Sequence, residues 1–225
     1  MCGRFNVIDN PELQRLLQVL GVDLTLPSRS NIAPTETIAM VRQSGLQREL
    51  AAVRWWLTPA WAKQVDQKYA MFNARSETIA SSRAFGEAFK SRRGIVPMSS
   101  FIEWRKEEDA KQPYLIAAVD QALPVAAVWE IWQGDDQIIE SCALLTTAAA
   151  PEFEQFHKRM PVVLREEDVE RWLDPQSRLA VNDPIFAPQL SYPLRVQPLA
   201  IGVNNARNKD LDLLQPTAEG VLLTD

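Results

Sequence analysis

The chain has 225 residues, a formal net charge of −5 and a hydrophobic share of 46%. No apolar run approaches the roughly 20 residues of a membrane span, and Arg4, Asn6, Asp9 and Asn10 interrupt the start where a signal peptide would be apolar. This reads as a soluble cytoplasmic protein without a membrane partner; it excludes a wholly basic nucleic-acid binder, though a local cationic groove is compatible with a negative sum.

Asp9 opens a predicted helix over 9–21: it can cap the first turn, Glu12 is placed for a capping box, and Leu13, Leu16, Leu17 and Leu20 form a stripe ending at Gly21. Residues 36–43 and 47–57 read as two strands around Ser44-Gly45. A second helix is expected over 81–93, stopped by Gly94. Strand-like runs follow at 94–98, 99–107, 112–119, 124–132 and 137–147, the last two joined by a turn at 133–136. Short helices are expected at 151–157 and 165–173, the second with an acidic first turn, and further strands at 161–164 and 194–199. There is no repeat or linker, and 15 prolines against 8 glycines imply many turns. The fold class is α+β: a β-rich single domain over 1–225, with curved antiparallel sheets or an open barrel and short peripheral helices.

Two cysteines, Cys2 and Cys142, make no disulfide framework, and Cys142 reads as a buried strand residue. With one histidine and no CxxC or HExxH, no metal and no cofactor are expected. Seven tryptophans suit either a core or base stacking.

Polar residues in apolar surroundings mark the candidate chemistry. In MCGRF, removal of Met1 would leave Cys2 with a thiol and an α-amine on adjacent carbons. Such a 1,2-aminothiol condenses with aldehydes; the alternative is an accident of a frayed terminus. In FNARSET (72–78), Asn73 is either a turn residue or a planar amide that holds an amine or thiol. In SFIEWRKE (100–107), alternation puts Phe101 and Glu103 on one face, Ile102 and Trp104 on the other. A carboxylate beside aromatics should have a raised pKa, suiting a general acid; a Glu103–Arg105 surface pair is the alternative. His157, at a predicted helix–strand junction, is either structural or a proton shuttle, and Lys158 and Arg159 beside it could bind phosphate. The polar loops RSNIAPTET (29–37) and VNNARNKD (203–210) suit phosphates and base edges, or are capped turns.

Taken in order, MCGRF, Asn-Ile-Ala-Pro-Thr at 31–35, Trp56-Leu57-Thr58-Pro59-Ala60-Trp61, N-A-R-x-E-T at 73–78, F-x-E-W at 101–104, H-x-R-x-P at 157–161 and N-x-x-N at 205–208 resemble the SOS response-associated peptidase (SRAP) family, the abasic-site processing proteins. The resemblance runs through nearly the whole chain. Leu57 stands where the family usually has glycine, and VNNARN leaves the ligand role to Asn204 or Asn205. The resemblance implies a sensor of abasic sites in single-stranded DNA, favouring single-to-double-strand junctions and acting as a monomer on damaged DNA in the nucleoid. The Cys2 amine would form a Schiff base with the sugar aldehyde, and the thiol would close it into a thiazolidine. It further implies that Asn73 orients Cys2, Glu103 manages protons and His157 opens the sugar ring. Arg75 and Arg159 would bind phosphates, Arg4, Asn31, Asn205 and Asn208 would shape the groove, and Pro34, Trp56 and Trp61 would wedge or stack. Two other readings stay open: a thiol peptidase with Cys2 as N-terminal nucleophile, acting first on Met1, and a non-covalent single-stranded DNA-binding module. A lyase activity through a Schiff base is a further expectation beside abasic-site crosslinking.

Overall fold

The first helix begins later than its sequence signals suggest. In the computed structural model, which describes residues 2–107, 110–134 and 136–224, Asn10 caps α1 (Pro11–Val19) by accepting the Leu13 N–H at 2.9 Å. Asp9 instead accepts the Gln14 amide, so Glu12 does not close a capping box. Gly21, at a φ of 72°, ends the helix as expected, with the Val22 N–H reaching back to the Leu17 carbonyl. Met1, expected to be removed, and Asp135, in the expected 133–136 turn, lie outside the described residues.

The described strands are β1 (Arg4–Val7), β2 (Arg29–Ile32), β3 (Thr37–Ser44), β4 (Gln47–Trp55), β5 (Asn73–Arg75), β6 (Arg93–Met98), β7 (Ser100–Glu107), β8 (Ala110–Ala118), β9 (Leu123–Gln133), β10 (Ile138–Ala148), β11 (Arg159–Pro161), β12 (Leu194–Pro198) and β13 (Val221–Leu223). One sheet has the order β13-β12-β8-β7-β1-β2. In the other, β10-β4-β3-β6-β9 closes into a ring because β9 also pairs with β10. Closure removes free edges. The β-rich α+β architecture is the expected one, with the ring closed rather than open. Two pairings are parallel: β4 and then β5 follow one another along the same edge of β10, in its direction.

One apolar cluster runs from the ring (Met40, Val53, Val96, Val125, Leu144) to the inner face of the open sheet (Phe5, Phe101, Ile116, Val196). A smaller cluster of Ile102, Leu199 and Val203, with Trp104 against it, occupies the sheet's outer face. The alternation expected for β7 is therefore present, and Glu103 shares the Phe101 side. Cys142 is buried on β10 as expected.

The expected 81–93 helix is only α2 (Gly86–Ser91), preceded by a 3-10 turn at Ser76–Ser81. Gly94 does not stop it: Gly94 lies within β6, where a Cβ would meet Met40 Sδ at 2.6 Å. Arg93 beside it is buried, its guanidinium donating to the carbonyls of Phe89 (2.8 Å), Trp172 (2.6 Å), Ser177 (3.1 Å) and Asp174. Residues 151–157 form turns instead of a helix, because Phe153 and Phe156 both turn onto the open sheet, against Phe101 (6.0 Å) and Tyr114 (5.1 Å). The 165–173 segment is a 3-10 turn followed by α3 (Val169–Leu173). Among the described residues, no helix is long and apolar enough to cross a membrane.

Candidate active site

Cys2 sits just ahead of β1, where the open sheet meets the ring. It is fully buried, and its carbonyl accepts the Asn73 Nδ2 amide at 2.9 Å. Asn73 opens β5, set by its register with Leu144 of β10, so this bond ties the N-terminal segment to the ring. Burial, and then the nearby Glu103 carboxylate, push the Cys2 thiol well above its ordinary range. It is a neutral thiol at pH 7, donating weakly to the Arg4 carbonyl at 3.8 Å. Glu103 is 3% exposed. The alternative Glu103–Arg105 surface pair does not form, because Arg105 turns to Glu107 and to the Tyr114 hydroxyl at 2.5 Å.

The far end of β10 gathers the next group. Arg75 of β5 lies opposite Thr146, and Arg159 of β11 opposite Ala148. The Arg159 N–H points at His157 Nδ1 at 2.9 Å, and the same ring nitrogen lies 3.0 Å from the Arg159 carbonyl. The Arg159 guanidinium is bidentate on Glu77 (2.6 and 3.0 Å) and reaches the Thr146 carbonyl at 2.6 Å. Burial opposes ionisation of Glu77, but the Arg159 hydrogen bond and charge hold its carboxyl below the usual range. Arg159, expected to hold phosphate, is thus engaged internally. Arg75 is exposed and is in no ion pair among the described residues. Glu77 was missed as a site residue, although it is part of the N-A-R-x-E-T motif.

The residues expected to shape the DNA groove make hydrogen bonds within the fold. Asn31, buried at a φ of 51°, uses its whole side chain inside the fold. Oδ1 accepts Arg4 Nη1 at 2.7 Å, and Nδ2 lies 3.0 Å from the carbonyls of Val203, Asn205 and Asn208. Its backbone N–H donates to Asn6 Oδ1 at 2.7 Å. Arg4 also reaches the Val203 carbonyl at 3.1 Å and stacks 5.6 Å from the Trp104 ring centre. Asn205 and Asn208 accept the N–H groups of Arg207 (3.1 Å) and Asp210 (3.3 Å), as turn caps do. Asn204 takes the Trp104 indole N–H at 2.6 Å. Glu36 and Lys209 were also missed, although both lie in the quoted polar loops. Glu36 accepts the Ala33 N–H (2.9 Å), Arg29 (2.9 Å) and Lys209 (2.5 Å), closing the turn that carries Pro34.

The tryptophans divide. Trp55 is buried, with its indole on the Phe72 carbonyl at 2.8 Å, and Trp56 is half-buried 5.5 Å from the Phe72 ring. Trp61 is 54% exposed, with the Arg83 guanidinium 4.2 Å from its ring centre. Leu57, where the family usually has glycine, is buried in the core.

Cys2, with its carbonyl on Asn73 and its thiol in the field of Glu103, lies where a sheet meets a closed strand ring in a β-rich protein. The family model described as SOS response associated peptidase (SRAP) matches residues 1–206, and the chain belongs to that family. It is similar to the abasic site processing proteins YoqW of Bacillus subtilis (29% identical, covering 96% of this chain and 99% of the relative) and YedK of Escherichia coli (29%, 96% and 100%). A crystal structure of a protein from Bacteroides thetaiotaomicron matches its fold with a TM-score of 0.72 at 23% identity over 82% of each chain.

Proposed function

We propose that this protein processes abasic sites in single-stranded DNA by crosslinking to them through Cys2 once Met1 is removed. The observation that carries the reading is the Cys2 environment: a neutral buried thiol, its carbonyl held by Asn73 and its thiol within the field of Glu103. The names of the relatives supply the substrate class.

The chemistry balances with those groups. The open-chain form of an abasic deoxyribose carries an aldehyde at C1′. The Cys2 α-amine, with a reference pKa of about 7.7–8.0, is partly neutral at pH 7 and attacks C1′. Water leaves as the Schiff base forms. The thiol then adds across the C=N bond: Sγ bonds to C1′, and the thiol proton goes to nitrogen. A raised thiol pKa keeps that proton available until the imine exists. Glu103 relays protons between amine, departing water and thiol, and His157 in its imidazolium form protonates the sugar ring oxygen. The five-membered ring resists the hydrolysis and elimination open to a bare imine. Arg75, Trp61 and Pro34 engage the flanking strand, with a preference for single-to-double-strand junctions, and the protein acts as a monomer. The same Cys2–Asn73–Glu103 group hydrolyses the Met1–Cys2 bond, which the family description as a peptidase supports.

Intact-protein mass spectrometry tests this with a single-stranded oligonucleotide bearing one abasic site. We expect the mass of the chain without Met1, then a gain equal to the oligonucleotide minus one water, stable to denaturation without borohydride. An adduct seen only after borohydride would mean a transient imine and a lyase. No adduct, with Met1 retained, would defeat the proposal.

A further inference from the structure

We infer that Asn31 is a positioning residue: it seats the 199–209 strap and Arg4 as one unit behind Cys2, and does not contact DNA. The inference rests on the crosslinking reading for its rate arm, and on geometry alone for the rest.

The strap crosses the outer face of the open sheet, where Leu199 and Val203 bury against Ile102. It is fastened to both strands that carry the reactive groups. On β1, Arg4 lies two residues from Cys2, its carbonyl accepts the Cys2 thiol, and its guanidinium bonds Val203 of the strap. On β7, Trp104 directly follows Glu103, and its indole donates to Asn204 of the strap. The Arg4–Trp104 stack closes the loop between the two strands. Asn31 is the fastener: one amide nitrogen meets three strap carbonyls while the amide oxygen holds Arg4. Its left-handed backbone is one that asparagine tolerates better than most residues, and Asn6 Oδ1 fixes it through the backbone N–H. A side chain so engaged has no donor left for a phosphate or base. What it does control is the placement of the two neighbouring segments that carry Cys2 and Glu103.

Asn31→Asp separates the roles. It is isosteric and keeps an oxygen for Arg4, but it replaces the donor with a carboxylate oxygen facing three carbonyls. Single-turnover crosslinking to an abasic-site oligonucleotide should show a maximal rate lowered between about ten- and a hundredfold, as for a small misplacement of reacting groups. The half-saturating DNA concentration should stay within about twofold, because no binding contact is lost. Two measurements need no adduct: trypsin should cleave after Arg207 and Lys209 faster in the variant, and iodoacetamide should alkylate Cys2 faster. Trp104→Phe, which loses the indole donor to the strap and shrinks the ring stacked on Arg4, should move all three readouts in the same sense and by less, and carries the test if Asn31→Asp does not fold. A raised half-saturating concentration with an intact maximal rate would overturn the inference in favour of a DNA contact. So would a freely cleaved strap with an unchanged rate and unchanged alkylation. If the wild type forms no adduct, the crosslinking reading fails while the trypsin and alkylation arms still decide the role of Asn31.

Discussion

On β7, Glu103 and Trp104 are neighbours in sequence and serve opposite faces of one sheet; on β1, Arg4 and Phe5 do the same. The inner face leads to Cys2, Asn73 and Glu103. There, hydrogen-bonding capacity is held in reserve: the Cys2 thiol keeps its proton, and Asn73 Oδ1 accepts no hydrogen bond among the described residues. The outer face is the reverse. Asn6, Asn31, Arg4 and the Trp104 indole are all committed to one another or to the strap. Buried polar groups normally find partners because an unmade bond is costly. On the outer face each of these bonds is made, which suggests scaffold.

Substitutions should separate the faces by which quantity they change. Cys2→Ala should abolish the denaturation-stable adduct altogether, since no other residue supplies a paired thiol and α-amine; denaturing electrophoresis reads this directly. Glu103→Gln, nearly isosteric, should slow adduct formation by about 10²–10⁴-fold, the usual worth of a positioned acid–base group, and leave Met1 on the chain by mass spectrometry. Asn6→Ala on the outer face should do the converse. It strands the Asn31 N–H and the Ser100 hydroxyl, bonded at 2.7 and 2.9 Å, and should cost about 1–3 kcal/mol of stability in denaturant unfolding. A Glu103→Gln protein that lost stability but not rate would erase the distinction between the faces.

The strands were legible because alternation and turn residues report directly on half-buried sheets. Phe101 and Glu103 could be assigned to one face of β7 from their spacing alone. The closed ring was not legible: the β3–β4 and β9–β10 hairpins are local, but β4 must also pair with β10, β3 with β6 and β6 with β9 across long stretches of chain, and no local pattern encodes that. The 151–157 helix failed because Phe153 and Phe156, three residues apart, suit a helix stripe and equally a turn laid on a sheet. The motifs located the polar residues but not their direction. Asn73 read as a planar amide or a turn residue and Asn31 as part of a polar loop; the tertiary structure puts the first on the Cys2 carbonyl and the second on the strap. Arg159 gave the same ambiguity, because its partner Glu77 lies far off in sequence and a guanidinium bonds a carboxylate as readily as a phosphate.

The smallest expected effect opposes the two faces in pH. Burial disfavours the ionised Glu36, but the Lys209 and Ala33 hydrogen bonds and the charges of Lys209 and Arg29 hold its carboxyl below the ordinary value of 4.5. A carboxyl depressed in the folded state contributes stability that is present above that ordinary value and lost as pH falls through the lower folded one. Strap amides should therefore lose protection in acid, measured relative to their intrinsic exchange at the same pH. Glu36→Gln should flatten that response and weaken the strap at pH 7 by at most about 1 kcal/mol, as for a partly exposed, salt-screened pair. Glu77 is depressed as well, so the difference between wild type and Glu36→Gln isolates the strap. Cys2 acts at the other end. Its folded thiol stays neutral while the unfolded one ionises near 9.0, so stability falls as pH rises beyond that value, and Cys2→Ala should remove part of the fall. Cys142, buried in the same way, and the Tyr114 and Tyr192 hydroxyls, also raised by burial, contribute to the rest. Thermal melting from acid to alkaline pH, with strap exchange measured at the acid end, should find the outer face loosening first in acid and the inner face in alkali. Identical pH responses in the Glu36→Gln, Cys2→Ala and wild-type proteins would mean that these two groups do not set the pH limits of the faces they occupy.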